Sequence, residues 1–119
     1  MKIIVAGSRD FKDRERVYRN LDVVERSLEG GKTIEIVSGL ARGPDTFGKD
    51  WAISKGYKVH EFPANWDKYG KKAGYLRNVE MSKVADCLIA FWNGSSPGTK
   101  HMIDIAHEHG LKVAVIIRS

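Results

Sequence analysis

Paired cysteines, a membrane-length apolar run, low-complexity tracts and the common nucleotide fingerprints are all missing from this chain of 119 residues. Each absence removes a class of protein. The single cysteine, Cys87, excludes an internal disulfide framework and any zinc site built on paired thiolates, and it suits a reducing compartment. Cys87 opens the apolar run Cys87-Leu88-Ile89-Ala90-Phe91-Trp92, where a thiol reads as a core residue rather than a nucleophile. The apolar stretch Ile3 to Ala6 is too short for a signal peptide or a membrane span, so the expectation is a cytoplasmic protein with no membrane partner. Neither a P-loop ending in Gly-Lys-Ser/Thr nor the spaced GxGxxG pattern occurs, which removes support for ATP hydrolysis and standard NAD binding. His107 and His109 lie two apart and face different directions on one helix, so the i, i+4 metal pair is lacking. No metal and no cofactor are expected.

What is present is a globular balance, 42% hydrophobic and 29% charged, with 20 Lys plus Arg against 15 Asp plus Glu and a formal charge of +5. That length allows one domain, residues 1–119, and the charge favours an anionic partner. Phosphorylated small molecules and nucleic acid share the required sign, so the distribution of charge has to decide between them. Arg14, Arg16, Arg19 and Arg26 alternate with Glu15, Asp22 and Glu25, the pattern of a solvated helix face. No basic tail stands out.

Five short runs rich in β-branched residues predict strands at Ile3–Ala6, Ile34–Val37, Lys58–Phe62, Cys87–Trp92 and Val113–Ile117. Ile3-Ile4-Val5 and Val113-Ala114-Val115-Ile116-Ile117 lack alternation, as in parallel strands covered on both faces. Between the runs lie helical patterns. The first spans Asp13 to Glu29, with Val17, Leu21, Val24 and Leu28 on one stripe and Gly30-Gly31 as its stop. A second runs from Pro44 to a stop at Gly56, and a third from near Ala73 to Ala85 with Leu76, Val84 and Ala85 inward. The fourth starts near Gly98-Thr99 and ends at Gly110. Such alternation implies a Rossmann-like α/β fold of three layers, a five-stranded mostly parallel sheet in order 3-2-1-4-5 with helices on both faces. Ligands then bind at the carboxyl ends of strands one and four.

Three loops belong to that edge. Gly7-Ser8-Arg9 offers a tight turn, a hydroxyl and a guanidinium fork; Gly39, Arg42, Gly43 and Asp45 precede or open the second helix; Gly94, Ser95, Ser96, Gly98 and Thr99 lead into the last one. Glycines and hydroxyls at helix amino termini suit phosphate, and Asp45 suits either a ribose hydroxyl or a helix start. The segment Pro63 to Asn78 is long for a strand-to-helix loop. Trp66, Tyr69 and Tyr75 in it suit stacking on a base or packing onto the body, Lys68, Lys71 and Lys72 suit phosphates, and Arg77-Asn78 suits ligand contact. His101, one turn into the last helix, is read either as a phosphate contact or as helix surface.

The runs Ala6-Gly7-Ser8-Arg9-Asp10-Phe11, Ser38-Gly39 with Ala41-Arg42-Gly43 and Asp45, Phe62-Pro63-Ala64 with Trp66, Ala73-Gly74 with Arg77-Asn78 and Met81, and Phe91-Trp92 with Gly94, Ser96, Gly98-Thr99 and His101-Met102-Ile103 together resemble the YspA-type, YpsA-related branch of the SLOG superfamily. The branch comprises small bacterial and phage proteins. The resemblance implies a nucleotide-binding Rossmann-like fold, shared with phosphoribohydrolases, a DNA-processing protein that loads recombinase on single strands, and sensors of nucleotide-derived signals. Homo-oligomers are common among them, so a dimer is an expectation of the same kind. The hydrolases carry Pro-Gly-Gly-x-Gly-Thr-x-x-Glu, and three residues after Thr99 this chain has Met102. Asp104 lies roughly 200° further round a helix of about 3.6 residues per turn, so Glu80 or Asp45 would have to supply a catalytic carboxylate. The expectation is therefore a sensor or sequestering domain for a nucleotide or nucleotide-derived ligand, held by Gly7, Ser8, Arg9, Gly39, Arg42, Gly43, Asp45, Arg77, Asn78, Gly94, Ser95, Ser96, Gly98 and Thr99. Cleavage of a nucleotide N-glycosidic bond and single-stranded nucleic-acid binding are the alternatives.

Overall fold

The computed structural model describes residues 1–28 and 33–117. In chain order the elements are β1 (Lys2–Gly7), α1 (Arg14–Ser27), β2 (Glu35–Ser38), α2 (Pro44–Lys55), β3 (Lys58–Glu61), α3 (Trp66–Tyr69), a 3-10 turn at Gly70–Lys72, α4 (Ala73–Val84), β4 (Cys87–Trp92), α5 (Pro97–Glu108) and β5 (Lys112–Ile117). All strand pairs are parallel and the order is β3-β2-β1-β4-β5. The five strands and four long helices agree with the sequence patterns to within a residue or two at most ends. The Gly30-Gly31 stop lies outside the described residues; α1 ends at Ser27 with Leu28 as its cap.

Alternate residues of β1 feed two separate cores. Ile3 and Val5 pack with Val17 and Leu21 of α1 and Trp51 and Ala52 of α2, whereas Ile4 and Ala6 pack with Met81 of α4 and Met102, Ile103 and Ala106 of α5. Helices on both faces are what allow β1 and β4 to be apolar without alternation. β5 departs from that expectation. It has a partner on one side only, and Val115 and Ile117 are 40% and 55% exposed, because no helix reaches past α5 to cover a strand at the sheet's edge.

The inward face of α4 also differs from the sequence reading. Ala73, Asn78, Met81 and Ser82 are buried, while Leu76 and Val84, expected inside, face outward. Small and polar residues take the inner stripe because α4 packs against α5 and also supplies the wall of a cleft. The long segment before α4 is not an open loop. Asn65 caps α3, its Oδ1 accepting the Lys68 N–H at 3.1 Å, and α3 with the following 3-10 turn packs on α4 while Trp66 and Tyr69 stay exposed.

α2 lies on β1 through a glycine. A Cβ built on Gly48 would stand 2.6 Å from the Val5 Cβ. Alanine is favoured over glycine inside a helix by about 1 kcal/mol, but overpacking a core costs about 1–3 kcal/mol, and the clash is with a β-branched side chain of a central strand. Gly48→Ala is expected to lower stability by about 1–2 kcal/mol, read as a lower urea midpoint with an unchanged slope; a raised midpoint would show that α2 can lift off β1 freely.

Candidate functional site

β1 and β4 are neighbours at the centre of the sheet, and their connections leave to opposite faces, so a crevice opens beyond their carboxyl ends. Ser8 closes the bottom of it. Its N–H donates to the Phe91 carbonyl oxygen at 3.0 Å, and its Oγ accepts the Asn93 N–H at 3.0 Å. Gly7 serves packing as much as chain reversal: a Cβ there would lie 2.3 Å from the Phe91 oxygen and 2.7 Å from the Pro44 ring. Only glycine lets the start of α2 and the end of β4 come that close.

The β4–α5 loop is organised by Asn93. Its Oδ1 accepts the N–H groups of Ser95 at 2.9 Å and Ser96 at 2.8 Å, and its Nδ2 donates to Asp10 at 3.1 Å. The amides of Ser95 and Ser96, which the sequence pattern assigns to an anion, are thus already engaged by a side chain. Gly94 takes φ +87° to make that turn and lines no part of the cleft. The donors left at this corner belong to α5. Ser96, at its N-cap, makes no side-chain capping bond, so the amides of Gly98 and Thr99 stay available at the positive end of the helix.

The third wall depends on Asp45. Its carboxyl is buried near the Arg77 guanidinium and the backbone amides of Ala41, Gly7 and its own residue, all of which favour its charged form. Burial raises its pKa from 3.8 to about 6, outweighing the opposing pull of Arg77 and the amides. The Arg77 side chain lies across Gly39: one terminal nitrogen donates to the Gly39 carbonyl oxygen at 2.7 Å, and Nε donates to the Asn78 Oδ1 at 3.3 Å. A Cβ on Gly39 would sit 2.8 Å from that guanidinium, so Gly39 makes room for an arginine rather than for a ligand. Burial lowers the Arg77 pKa, Asp45 opposes the shift and Arg9 adds to it. Asn78 Nδ2 contacts His101 Nδ1 at 3.1 Å, and the His101 ring stacks on Tyr75 with centroids 4.4 Å apart. His101 therefore braces α4 against α5 and does not line the cleft, and its pKa is lowered by burial, with Asp104 and Glu108 pulling it up.

These walls enclose a cavity of about 460 Å³, a size ordinary for a small-molecule site. Of the residues singled out from sequence, Gly7, Ser8, Arg9, Asp45, Arg77, Asn78, Ser96, Gly98 and Thr99 line it. Gly39 borders a smaller chamber beside it, and Glu80 a third, where it lies 3.4 Å from Lys83. Arg42, Gly43, Gly94 and Ser95 border none of the three. Gly43 instead starts α2 at φ +84°, with the space for a Cβ taken up by the Ser8 carbonyl oxygen. Trp66 and Tyr75 stand in the cavity wall, 49% and 44% exposed, with Lys71 beside them. Sequence reasoning missed Asp10, Asn93 and Met102. Asn93, followed by Gly94, two serines and a proline at a strand end, carries the Asx-turn signal that would have found it.

A doubly wound parallel sheet with a cleft at its switch point defines a Rossmann-like α/β domain. Its family is shown by comparison: the YspA, cpYpsA-related SLOG family matches residues 1–69, and this chain belongs to it. The "Gene 61 protein" of Mycobacterium phage D29 is 39% identical over 119 aligned residues, which cover 94% of this chain and 93% of that protein. No solved structure matches the chain. Among the described residues no helix is long and apolar enough to cross a membrane, and no three His, Cys, Asp or Glu side chains gather as metal ligands. Cys87 is half-buried, its thiol pushed up to about 11 chiefly by burial, so it is not poised as a thiolate.

The Asp45 carboxyl makes stability depend on pH in an unusual direction. Its folded-state pKa of about 6 lies above the ordinary 3.8, so the folded chain holds this proton more tightly than the unfolded chain does. The resulting stabilisation is complete below about pH 4 and is lost as pH rises through about 6. Relative to Asp45→Asn, wild-type stability should fall by on the order of 2–3 kcal/mol between pH 4 and pH 7. Urea unfolding at each pH tests this, and a difference that is flat or rises with pH would refute it.

Proposed function

We propose that the cleft binds a nucleotide or nucleotide-derived ligand and that the domain acts as a sensor or sequestering protein for it. One observation carries the reading: a single cavity combines an open helix amino terminus, two arginines and two aromatic walls. The phosphate goes to the amides of Gly98 and Thr99 and to Arg9 and Arg77. The base stacks against Trp66 or Tyr75, and the ribose hydroxyls meet the acids Asp10 and Asp45. Membership of the SLOG family supports a nucleotide-related ligand.

Binding is favoured over N-glycosidic hydrolysis by Met102. It is buried and lines the cavity at the position where the hydrolase loop has its glutamate. Asp104 points away and lies 2.8 Å from Lys100, and Glu80 borders a different chamber. Asp45 is the acid within the cavity that burial brings near neutral pKa, with the Arg77 guanidinium opposing the shift. Prolonged incubation with nucleoside monophosphates should release no free base by chromatography, whereas steady release lost in Asp45→Asn would replace this reading with the hydrolase.

A thermal-shift screen over nucleoside monophosphates, cyclic nucleotides and dinucleotides tests the binding itself. A ligand at 100 times its dissociation constant adds about 2.7 kcal/mol, well within detection. Gly98→Ala separates the site from the fold, because a Cβ there meets nothing within 4 Å. That variant keeps the Gly98 N–H but puts a methyl where the ligand approaches, so it should melt like wild type without ligand and bind at least about tenfold more weakly. Unshifted melting with every compound, in protein shown to be folded, would sink the proposal.

A further inference from the structure

Asn78 stands on the buried stripe of α4, and its amide serves three partners at once. Its Oδ1 accepts the Arg77 Nε–H at 3.3 Å, while its Nδ2 faces the Gly98 carbonyl oxygen at 3.4 Å and His101 Nδ1 at 3.1 Å. Two of these partners have fixed roles. A guanidinium nitrogen can only donate and a carbonyl oxygen can only accept, so both impose the same orientation on the amide. Nδ2 therefore points to α5, and His101 Nδ1 must accept its N–H. That assigns His101 the neutral form with its proton on Nε2.

Protonation of the ring breaks this set. An imidazolium carries N–H at both nitrogens, so Nδ1–H would meet the Asn78 Nδ2–H at hydrogen-bond distance. Turning the amide over does not help, because it sets Nδ2 against the Arg77 Nε–H and Oδ1 against the Gly98 carbonyl oxygen. Swinging the ring away gives up its stack on Tyr75, whose centroid is 4.4 Å distant. The relief left is loss of the bond between Arg77 and Asn78. The charges that act on the ring are Asp104 and Glu108 of α5 itself, with Lys100 2.8 Å from Asp104; α4 contributes the Tyr75 ring, the Asn78 amide and Arg77 beyond it. Burial lowers the His101 pKa against the pull of those two acids, so the accepting form is the one present at neutral pH. Arg77 and Gly98 both line the cleft, so one amide aligns a guanidinium and a helix amino terminus on it.

We propose that His101 is a positioning residue of the cleft: by accepting from Asn78 at Nδ1 it keeps the Arg77 guanidinium aligned on the cavity, and gaining a proton there releases it. The inference rests on the nucleotide-binding reading only in taking Arg77 as a ligand contact; the hydrogen-bond set itself needs no ligand to be measured.

Nuclear magnetic resonance of the unliganded protein decides it. Long-range ring correlations should show the Nε2–H tautomer at about pH 8. Between about pH 8 and about pH 5 the Arg77 Nε–H signal should move with the same midpoint as the His101 ring protons. Asp45 lies near Arg77 and also titrates, with a pKa of about 6, so two variants isolate the His101 share. In His101→Phe, which keeps a ring beside Tyr75 and lacks the acceptor, the Arg77 signal should start from the released position and lose the step at the His101 midpoint. In His101→Asn, whose Oδ1 stands as many bonds from the backbone as Nδ1 does, that step should also vanish. There the Arg77 signal should keep its wild-type position of about pH 8, apart from the Asp45 step. Melting curves verify that both variants fold. An Nδ1–H tautomer in the wild type, an Arg77 titration identical in wild type and His101→Phe, or equal Arg77 positions in the two variants overturns the assignment. None of these outcomes touches the nucleotide reading, which stands or falls with the thermal-shift screen.

Discussion

The buried carboxylate of Asp45 is the contact on which the cleft depends. It lies where the end of β1, the β2–α2 loop and a guanidinium carried by α4 meet, and each of the three favours its charged form. Three chain segments far apart in sequence are thereby fixed around one pair of oxygens. The arrangement explains several glycines together. Gly7 lets α2 begin against β4, Gly39 leaves space for Arg77, and Gly43 turns the chain into α2 at positive φ. A buried acid that faces a cation is stable in its charged form only while that cation stays in place. The walls of the cleft are thus held before any ligand arrives, which reduces the ordering cost that binding must overcome.

Leu40 shows that this loop is built under constraint. It is the non-glycine residue among those described with positive φ, at +63°, a conformation that costs an L-residue roughly 1–2 kcal/mol. The Ser38 hydroxyl holds the strained turn, accepting the Leu40 N–H at 3.1 Å and donating to the Asp45 carbonyl oxygen at 2.9 Å. Strain held by buried hydrogen bonds next to a cavity is typical of sites shaped for a ligand rather than for stability alone.

Much of the fold was legible because its signals are local and repeated. Runs rich in β-branched residues identified the five strands, glycine stops bounded α2 and α5, and alternation of the two element types dictated the parallel order. The errors came from positions where neighbours outweigh pattern. Val115 and Ile117 read as buried because they are β-branched and consecutive, but an edge strand gets no cover from sequence. Leu76 and Val84 read as buried because they are apolar, but the inner stripe of α4 belongs to Ala73, Asn78, Met81 and Ser82, with Asn78 in the cleft wall and Met81 in the core. Within the site, the loops were identifiable and the roles of their atoms were not. Ser95 and Gly94 look like phosphate ligands in a string of small residues, and only the fold shows that Asn93 has already taken the loop's amides.

Net charge illustrates the same distinction at the level of recognition. The excess of five positive charges suggests a field that draws in any anion, yet the cavity wall carries Arg9, Lys71 and Arg77 together with Asp10 and Asp45. Its local balance is close to neutral, so long-range attraction contributes little to choosing a ligand. Discrimination must come instead from placement: amides and guanidiniums where phosphate oxygens fall, carboxylates where they would be repelled and hydroxyls accepted. Asp10 is held close by Asn93, the residue that also shapes the amino terminus of α5. The two preferences are therefore coupled through one side chain. A bare phosphate satisfies the first and meets repulsion from the second, while a phosphorylated sugar satisfies both, which is the physical argument for the proposed nucleotide over an inorganic anion of equal charge.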